Sequence, residues 1–189
     1  MALEFQRYGR NKDTLVNKTY IDSGEYRKKF DNATDNHDVN KALYDSAKTA
    51  LKHRSGTELE DMYWFDEETG ETVLSVIDST EKRAIVYSDK IKSVISKRTD
   101  IITLHTHPSS MPPSIDDFNS CCNNGYKMGY IACHNGMVFE YSSSQIISEK
   151  LYDLYLGEYI KQGFSEFDAQ MKTLEELKKS FLIHFREVT

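Results

Sequence analysis

Apolar residues recur along the middle of the chain with two different spacings. From Asp38 they follow the interval of an amphipathic helix, and Gly56 provides a helix stop. Two short apolar runs at 62–65 and 73–77 then flank a polar turn, which predicts a β-hairpin. The middle of the chain is therefore expected to begin with a long helix that leads into a sheet.

The segments that follow alternate between strand-like and helix-like patterns. The dipeptide Asn135-Gly136 lies between two apolar runs and is a strong signal for a hairpin turn. The predicted elements are a strand at 84–87, a helix at 89–97, a strand at 101–105, a helix at 114–124, and a hairpin of strands at 127–133 and 137–141. This alternation predicts an α/β domain with a mixed central β-sheet flanked by helices.

The two ends of the chain differ from this middle part. Residues 1–37 are polar, and we expect an N-terminal arm that is irregular except for a short helix around 24–30. After Tyr141 the pattern is helical for the rest of the chain, with two apolar stripes. The stripes are Ile147, Leu151, Leu154 and Tyr155, and Met171, Leu174, Leu177 and Phe181. We predict a domain at 38–143 and a C-terminal helical extension at 144–189 that packs on the domain or on a partner.

Composition narrows the classes of protein that fit this pattern. The 189 residues are 39% hydrophobic and 12% aromatic, which is enough for a core and argues against an intrinsically disordered chain. The longest apolar runs are far shorter than a bilayer span, and charged residues interrupt the N-terminus where a signal peptide would be apolar. The three cysteines form no obvious disulfide framework. We expect a cytoplasmic protein that is not embedded in a membrane.

The charge balance bears on the partners. The chain has 24 basic and 30 acidic residues, for a formal net charge of −6. No block of Lys and Arg stands out, and an acidic surface repels phosphate backbones. We therefore do not expect nucleic acid as a partner.

Two histidines, His105 and His107, stand at the end of a predicted strand. Side chains alternate between the faces of a strand, so both imidazoles point to the same side. Two imidazoles supply half of a tetrahedral zinc shell, and a catalytic site needs a third protein ligand and an open fourth position. Asp117, in the first turn of the next helix, can supply that ligand. The chain's three prolines all lie in the intervening loop and restrict how the helix approaches.

Each part of this cluster also has a purely structural interpretation. A His-x-His pair on a strand is by itself weak support for a metal site. The spacing Ser114-x-x-Asp117 is that of a helix cap, in which the hydroxyl and the carboxylate accept hydrogen bonds from free backbone N–H groups. A cap and a ligand role for Asp117 are compatible. The two motifs together are far more specific than either one alone.

The order His-x-His-Pro, a short loop and Ser-x-x-Asp resembles the zinc signature of the JAMM (MPN-type) metalloproteases. That family includes deubiquitinating isopeptidases and bacterial and phage members. The matching residues are His105, His107, Ser114 and Asp117, and the resemblance covers 38–141. The loop before Ser114 is one residue shorter than the family pattern. The resemblance implies the JAB/MPN fold, which is cytidine-deaminase-like in architecture, and zinc (Zn²⁺) as the cofactor.

The family pattern also includes a glutamate on the strand that follows the first helix. The sequence offers Glu58 and Glu60, and a continuous strand would put both on the same side. Glu60 lies closer to the apolar part of the strand and further from the turn at Gly56, so we predict Glu60 as the general base. Glu58 stays open as the alternative, and a solvated acidic entry to the strand is the structural interpretation of both.

The resemblance implies hydrolysis of a peptide or isopeptide bond. Zinc held by the two histidines and Asp117 would lower the pKa of its water toward about 7. Glu60 would take the proton and return it to the leaving amine, and Ser114 would donate a hydrogen bond to the developing oxyanion. The substrate would be a protein or peptide, such as a ubiquitin-like or phage structural protein, in the cytoplasm of a bacterium or a phage-infected cell.

Three other functions compete with this one. One is a nucleic-acid-processing relative, which the acidic charge balance disfavours. A non-catalytic member of the same fold would use its shape to bind another protein, and a phage-assembly protein would depend mainly on the helical C-terminal part. The complete set of predicted ligands favours the enzyme, because degenerate copies normally lose ligands. A homodimer is one arrangement that the flanking helices would allow.

The remaining histidines and the paired cysteines have less promising contexts. His134 lies beside the predicted hairpin turn, and we expect it on the surface. The other three histidines, in predicted loop, helix-end and tail positions, are His37, His53 and His184. Cys121 and Cys122 lack the Pro-Cys-x-x-Cys pattern of a deaminase zinc site. We expect both cysteines to pack as small residues.

Overall fold

Six strands form one mixed sheet in the computed structural model, which describes residues 12–180 and 183–189. In chain order the strands are β1 (Met62–Asp66), β2 (Thr72–Val76), β3 (Ile101–His107), β4 (Met128–Cys133), β5 (Val138–Ser143) and β6 (Ile183–Glu187). Their order across the sheet is β2-β1-β3-β4-β5-β6. The central pair β3 and β4 is parallel, and the other neighbours are antiparallel. The predicted α/β class with a mixed sheet is confirmed.

Helices precede, connect and follow these strands. A short 3-10 helix at Lys12–Thr14 is followed by α1 (Lys18–Ile21), α2 (Gly24–Lys28), α3 (His37–Arg54), α4 (Asp89–Ile95), α5 (Ile115–Asn124), α6 (Glu149–Lys161) and α7 (Glu166–Ser180). Helix α5 connects the parallel strands β3 and β4, so its first turn lies close to the carboxyl end of β3. Within the described ranges, no helix combines the length and the apolar character needed to cross a bilayer.

The sheet is covered by helices on both faces. One face, which we call the N-helix face, packs against α1 to α3 through a core that includes Leu43 of α3 and Leu104 of β3. The other, the C-helix face, packs against α4 to α7, and its core includes Phe118 of α5, Leu174 of α7 and Ile131 of β4. Because successive side chains of β3 alternate between these two cores, the odd-numbered residues of β3 face the C-helix side.

The N-terminal segment is more regular than the sequence predicts. The expected short helix is α2, and Ser23 caps it by accepting a hydrogen bond from the N–H of Tyr26. Helix α1, which was not predicted, precedes it with Asn17 as its N-cap. Tyr26 and Phe30 are buried in the core of the N-helix face. A few buried apolar residues suffice to attach two short helices to the sheet, so the polar composition of the segment did not reveal α1. Residues 1–11 of the predicted arm lie outside the described ranges.

The prediction of a strand at 84–87 is wrong, because this segment pairs with no strand in the described part of the chain. Its side chains nevertheless alternate: Ile85 and Tyr87 pack on the core of the C-helix face, and Val86 is 63% exposed. Among the described residues the sheet ends at β2, and the backbone pairing just before this segment is limited to an isolated bridge between Leu59 and Lys82 and a hydrogen bond from Arg83 N–H to the Glu58 carbonyl. An alternating pattern indicates that one side of an extended segment is buried, and it does not indicate whether a neighbouring strand is present.

The prediction of helix to the end of the chain is wrong for the last residues. Helix α7 ends at Ser180, and β6 then pairs antiparallel with β5. Ile183 and Phe185 are buried, whereas Arg186 is exposed. The edge of β5 offers unpaired backbone groups, and a short alternating segment satisfies them better than another helical turn. Phe181 lies outside the described ranges, and the domain boundaries after residues 37 and 143 stay a prediction.

A buried carboxylate links β6 to the rest of the sheet. Glu140 of β5 accepts hydrogen bonds from Arg186 Nε at 3.0 Å and Nη2 at 2.8 Å, and one of its oxygens lies 2.6 Å from His184 Nε2. Tyr130 of β4 donates to the same carboxylate at 3.2 Å. Burial opposes ionisation of Glu140, but the bonds from Arg186 and His184 outweigh it and hold the pKa of this carboxyl below its usual value.

We expect Glu140→Gln to lower the free energy of unfolding by about 1–3 kcal/mol at neutral pH, because it leaves charged donors without their ionised acceptor. A carboxyl whose pKa is lowered in the folded state stabilises the protein above its unfolded-state pKa of about 4.3, and this stabilisation is lost as the pH falls through the folded-state value. Urea unfolding at a series of pH values should therefore show the variant converging on the wild type in acid.

The matched control is Glu187→Gln, which removes a carboxylate from an exposed position on the neighbouring strand β6. It should change the unfolding free energy by less than about 0.5 kcal/mol. An equal loss of stability for Glu140→Gln at neutral and acid pH would contradict the ionic role of Glu140.

Candidate metal centre

The carboxyl end of β3 presents His105 and His107 on the C-helix face. His105 lies opposite Met62 of β1 and Ile131 of β4, and His107 lies opposite Cys133. Their ring centroids are 4.9 Å apart, and His105 is buried. The prediction that strand alternation directs both rings to one side agrees with this geometry.

Helix α5 brings Asp117 to the same place. Ser114 is the N-cap: its backbone N–H and its hydroxyl donate to Asp117 Oδ2 at 2.7 Å and 2.8 Å, and Asp117 N–H donates to Ser114 Oγ at 3.2 Å. This reciprocal capping box is the structural interpretation considered for the Ser114-x-x-Asp117 spacing. It also fixes the carboxylate in the first turn of α5, where the helix dipole favours negative charge.

The three side chains converge at the spacing of ligands around one ion. His105 Nε2 lies 3.1 Å from His107 Nε2 and 3.2 Å from Asp117 Oδ1, and His107 Nε2 lies 3.6 Å from Asp117 Oδ2. A tetrahedral zinc with bonds of about 2.0–2.1 Å requires ligand atoms about 3.3 Å apart. The residues present therefore fit a zinc ion, and two imidazoles with one carboxylate are a donor set that zinc accepts.

The hydrogen bond of His107 fixes which ring nitrogen carries its proton. His107 Nδ1 lies 2.9 Å from the carbonyl oxygen of Met111, which can only accept, so Nδ1 carries the hydrogen. The lone pair of Nε2 is then directed at the other two side chains. Burial, reinforced by His105 and opposed by Asp117, lowers the pKa of His107 to about 4, so this ring is neutral at neutral pH.

His105 and Asp117 lie within ion-pair distance, with His105 Nε2 3.2 Å from Asp117 Oδ1. Burial disfavours the imidazolium of His105, but the Asp117 carboxylate outweighs it, and the pKa of His105 lies above its ordinary value. Although burial also disfavours the charged carboxylate, contact with the two histidines holds the pKa of Asp117 well below its usual range. Among the residues that the structure describes, none hydrogen-bonds the buried Nδ1 of His105. A divalent cation at the centre of the cluster would take the place of the proton on His105 Nε2.

Glu60 lies beside this cluster, in the cleft that His105 and Asp117 line. Its side chain is directed to the C-helix side, as is that of Met62, and Glu60 is 7% exposed. Burial raises the pKa of Glu60 to about 7, although the charge of His105 acts in the opposite direction. A carboxyl with a pKa close to the working pH is suited to accept a proton and to return it.

The next residue, Asp61, anchors the segment that carries Glu60. Its backbone exchanges hydrogen bonds with Thr106, since Asp61 N–H donates to Thr106 Oγ1 and Thr106 N–H donates to the Asp61 carbonyl, both at 3.1 Å. Its carboxylate is fully buried on the N-helix side and pairs with Arg54 and His53 of α3. The position of Glu60 therefore follows from contacts on the opposite face of the sheet.

Glu58 is placed elsewhere. Its carboxylate accepts hydrogen bonds from Lys82 at 2.7 Å and from Arg83 at 2.8 Å, and it does not line the cleft. The sequence could not separate Glu58 from Glu60, because both would face one side of a regular strand. Strand β1 starts only at Met62, so the alternation does not extend back to Glu58.

The cleft above the cluster has a volume of about 370 Å³ and a mixed lining. One wall is the extended segment from Arg83 to Tyr87, and the opposite wall is formed by the loop before Ser114 together with Gln170 of α7. Asp116 lies exposed in the first turn of α5. Neither Arg83 nor Gln170 was predicted as a site residue, because each is brought to the cleft by tertiary packing and no local motif marks it.

The remaining histidines and cysteines lie outside the cluster. The prediction of a surface position for His134 is wrong: it is 1% exposed, and its Nδ1 lies 2.7 Å from the carbonyl of Thr14, because the N-terminal segment covers the hairpin. Cys121 is buried in the core, as expected, and Cys122 is half-buried. Of the other three histidines, His37 contacts Asp38, His53 contacts Asp61 and His184 contacts Glu140.

Comparison of the chain with protein-family models, with curated proteins and with solved structures finds no match.

Tyr141 supports the centre from β5. Its ring packs edge-on against His105, with centroids 6.2 Å apart, and against Phe118 at 5.5 Å. The ring lies directly over Gly129 of β4, where an added Cβ would be 2.2 Å from Tyr141 Cζ. Glycine is thus required at position 129, because the backbone and the ring approach too closely for any side chain.

We expect Gly129→Ala to lower the free energy of unfolding by about 1–3 kcal/mol, as overpacked core substitutions do. Gly157→Ala is the matched control: apart from its chain neighbours and the backbone of its own helix, no described atom lies within 4 Å of the added Cβ, and Gly157 is in the interior of α6. It should stabilise the protein by about 0.5–1 kcal/mol. Urea unfolding of both variants checks the pair, and a loss of stability of similar size at both positions would contradict the packing argument.

Proposed function

We propose that the protein is a zinc-dependent hydrolase that cuts a peptide or isopeptide bond. The observation that carries the proposal is the convergence of His105, His107 and Asp117 at 3.1–3.6 Å from one another beside a buried glutamate in an open cleft. A structural cluster would have no need for an adjacent carboxyl with a pKa of about 7. The open cleft leaves access for a substrate.

Each residue has a defined task in this proposal. The two imidazoles and the Asp117 carboxylate would hold the ion, which when bound would act as a Lewis acid toward the scissile carbonyl and toward a water molecule. Glu60 would accept the proton of that water and deliver it to the leaving amine. Met111 keeps His107 in the tautomer that leaves Nε2 free to ligate, through its carbonyl oxygen.

Ser114 has two roles to reconcile. Its hydroxyl donates to Asp117 Oδ2, so donation to a developing oxyanion requires the hydroxyl to turn away. The backbone N–H of Ser114 would still hold the same carboxylate oxygen, at 2.7 Å. We propose that the hydroxyl makes this exchange during the reaction, at the cost of one of the two hydrogen bonds to the carboxylate.

The motif points to a class of enzyme. The order His-x-His-Pro, Ser-x-x-Asp and an upstream glutamate resembles the JAMM metalloproteases, and we propose that the chain has their JAB/MPN fold and their reaction. The substrate would be a protein or a peptide, with ubiquitin-like and phage structural proteins as candidates. All three cysteines are free thiols, which supports the reducing cytoplasm of a bacterium or a phage-infected cell as the place of action.

Metal content tests the first half of the proposal. We expect about one zinc per chain when the protein is purified without chelator or nickel resin, and we expect loss of that zinc in His107→Ala and Asp117→Asn, because three protein ligands are the minimum for a catalytic site. Plasma mass spectrometry measures the stoichiometry. Asp116→Asn is the matched control, since it removes the exposed neighbouring carboxylate and should leave the zinc in place.

An absence of stoichiometric zinc in the wild type, after zinc is added back to folded protein, would contradict the hydrolase proposal. A protein-binding module on the same fold would then be the better explanation.

Substitution of the two glutamates tests the second half. Glu60→Gln should retain zinc and lose about 10²–10⁴-fold in rate, because the amide cannot accept the proton. Glu58→Gln should keep both zinc and rate, since Glu58 lies outside the cleft. Cleavage of a fluorogenic peptide library and of ubiquitin-like fusion proteins measures the rate. Equal losses in the two variants would contradict the assignment of Glu60.

A further inference from the structure

The loop between His107 and Ser114 rests on the C-terminal helix α7. Gln170 of α7 is 8% exposed, and its Nε2 donates to the carbonyl of Pro112 at 3.2 Å and to the carbonyl of Pro113 at 3.1 Å. Within the described part of the chain, no other donor contacts these two carbonyls. Because only the NH₂ end of an amide donates, these contacts also fix the orientation of the Gln170 side chain.

The two carbonyls lie between the supports of two metal-ligand candidates. On one side, Met111 accepts the hydrogen bond from His107 Nδ1 at 2.9 Å, immediately before Pro112. On the other side, Ser114 follows Pro113 directly and holds Asp117 by two hydrogen bonds. Consecutive prolines have a fixed φ, so a shift of their carbonyls is passed on to both neighbours.

Helix α7 is a rigid base for this contact. Its residues Ala169, Thr173, Leu174 and Leu177 are fully buried against the C-helix face. Thr173 and Leu177 lie one and two turns beyond Gln170 on the same side of the helix, so the side that carries Gln170 cannot move without opening the core. A side chain held in this way positions its partners better than one on a loop.

We propose that Gln170 is a positioning residue for the candidate metal centre, which orients His107 and Asp117 through the backbone of Pro112 and Pro113. The expected effect on metal binding rests on the proposed function. The expected effect on the orientation of His107 in the metal-free protein does not. Helix α7 would then support the centre in addition to packing on the sheet. The role resembles that of outer-sphere residues, whose loss typically weakens metal binding by about 10–100-fold.

The experiment uses the full chain with Gln170→Met, which keeps the length of the side chain and removes the donor. Gln170→Asn, which keeps the amide and shortens its reach, is the second variant. Leu177→Ala is the control, because it weakens the packing of the same helix without contacting the loop. Urea unfolding ranks the stability of all three variants.

Two readouts follow the centre itself. In metal-free protein, nitrogen-15 spectra of the histidine rings report the tautomer of His107; we expect the wild type to show Nδ1–H and the Gln170 variants to show a mixture. With Co²⁺ as the probe, we expect the Gln170 variants to bind about 10–100-fold more weakly and with an altered visible spectrum. Leu177→Ala should lower stability and leave both readouts unchanged.

Wild-type tautomer and Co²⁺ spectra in both Gln170 variants would overturn the proposal. It would also fail if Leu177→Ala shifted both readouts as much as Gln170→Met, since the effect would then be one of general stability. Failure of the proposed function is distinguishable: the wild type would bind no Co²⁺, and the tautomer of His107 in the metal-free protein would still report the role of Gln170.

Discussion

The reciprocal hydrogen bonds between Ser114 and Asp117 tie the start of α5 to the candidate metal centre. A carboxylate is costly to bury unless donors and opposite charge compensate it. Ser114 supplies two donors to Oδ2, His105 faces Oδ1, and the first turn of the helix adds its dipole. Because the same bonds begin the helix, α5 cannot start at another residue without moving this ligand.

Strand β3 extends this coupling across the sheet. Its alternation directs His105 and His107 to one face and Thr106 to the other, where Thr106 holds Asp61 through two backbone-linked hydrogen bonds. The buried pair of Asp61 and Arg54 then ties this segment to α3. His105 and His107 are thus directed to the C-helix face, and Thr106 anchors, through Asp61, the segment that directs Glu60 to the same face.

The parts of this arrangement that depend on local periodicity could be predicted from the sequence. Strand alternation placed His105 and His107 together, and the capping pattern placed Asp117 in the first turn of α5. The choice between Glu58 and Glu60 depends on where β1 starts pairing, which periodicity does not determine. The burial of His134 depends on a contact with Thr14, far away in the chain. The strand at 183–187 could not be predicted for a similar reason, because it is stabilised by backbone pairing with β5, which lies 40 residues earlier in the chain.

The contact that Gln170 makes beside the candidate metal centre could not be predicted from local periodicity either. Its position on α7 fits the helical pattern of a packing residue, and nothing in the neighbouring sequence marks it as polar support for a distant loop. The two prolines that it contacts have no N–H group, and in the described part of the chain Gln170 supplies the donor to both of their carbonyls. Because no described N–H group of the loop pairs with these two carbonyls, a tertiary contact has to supply the donor. That physical requirement explains why a helix from the end of the chain reaches the edge of the cleft.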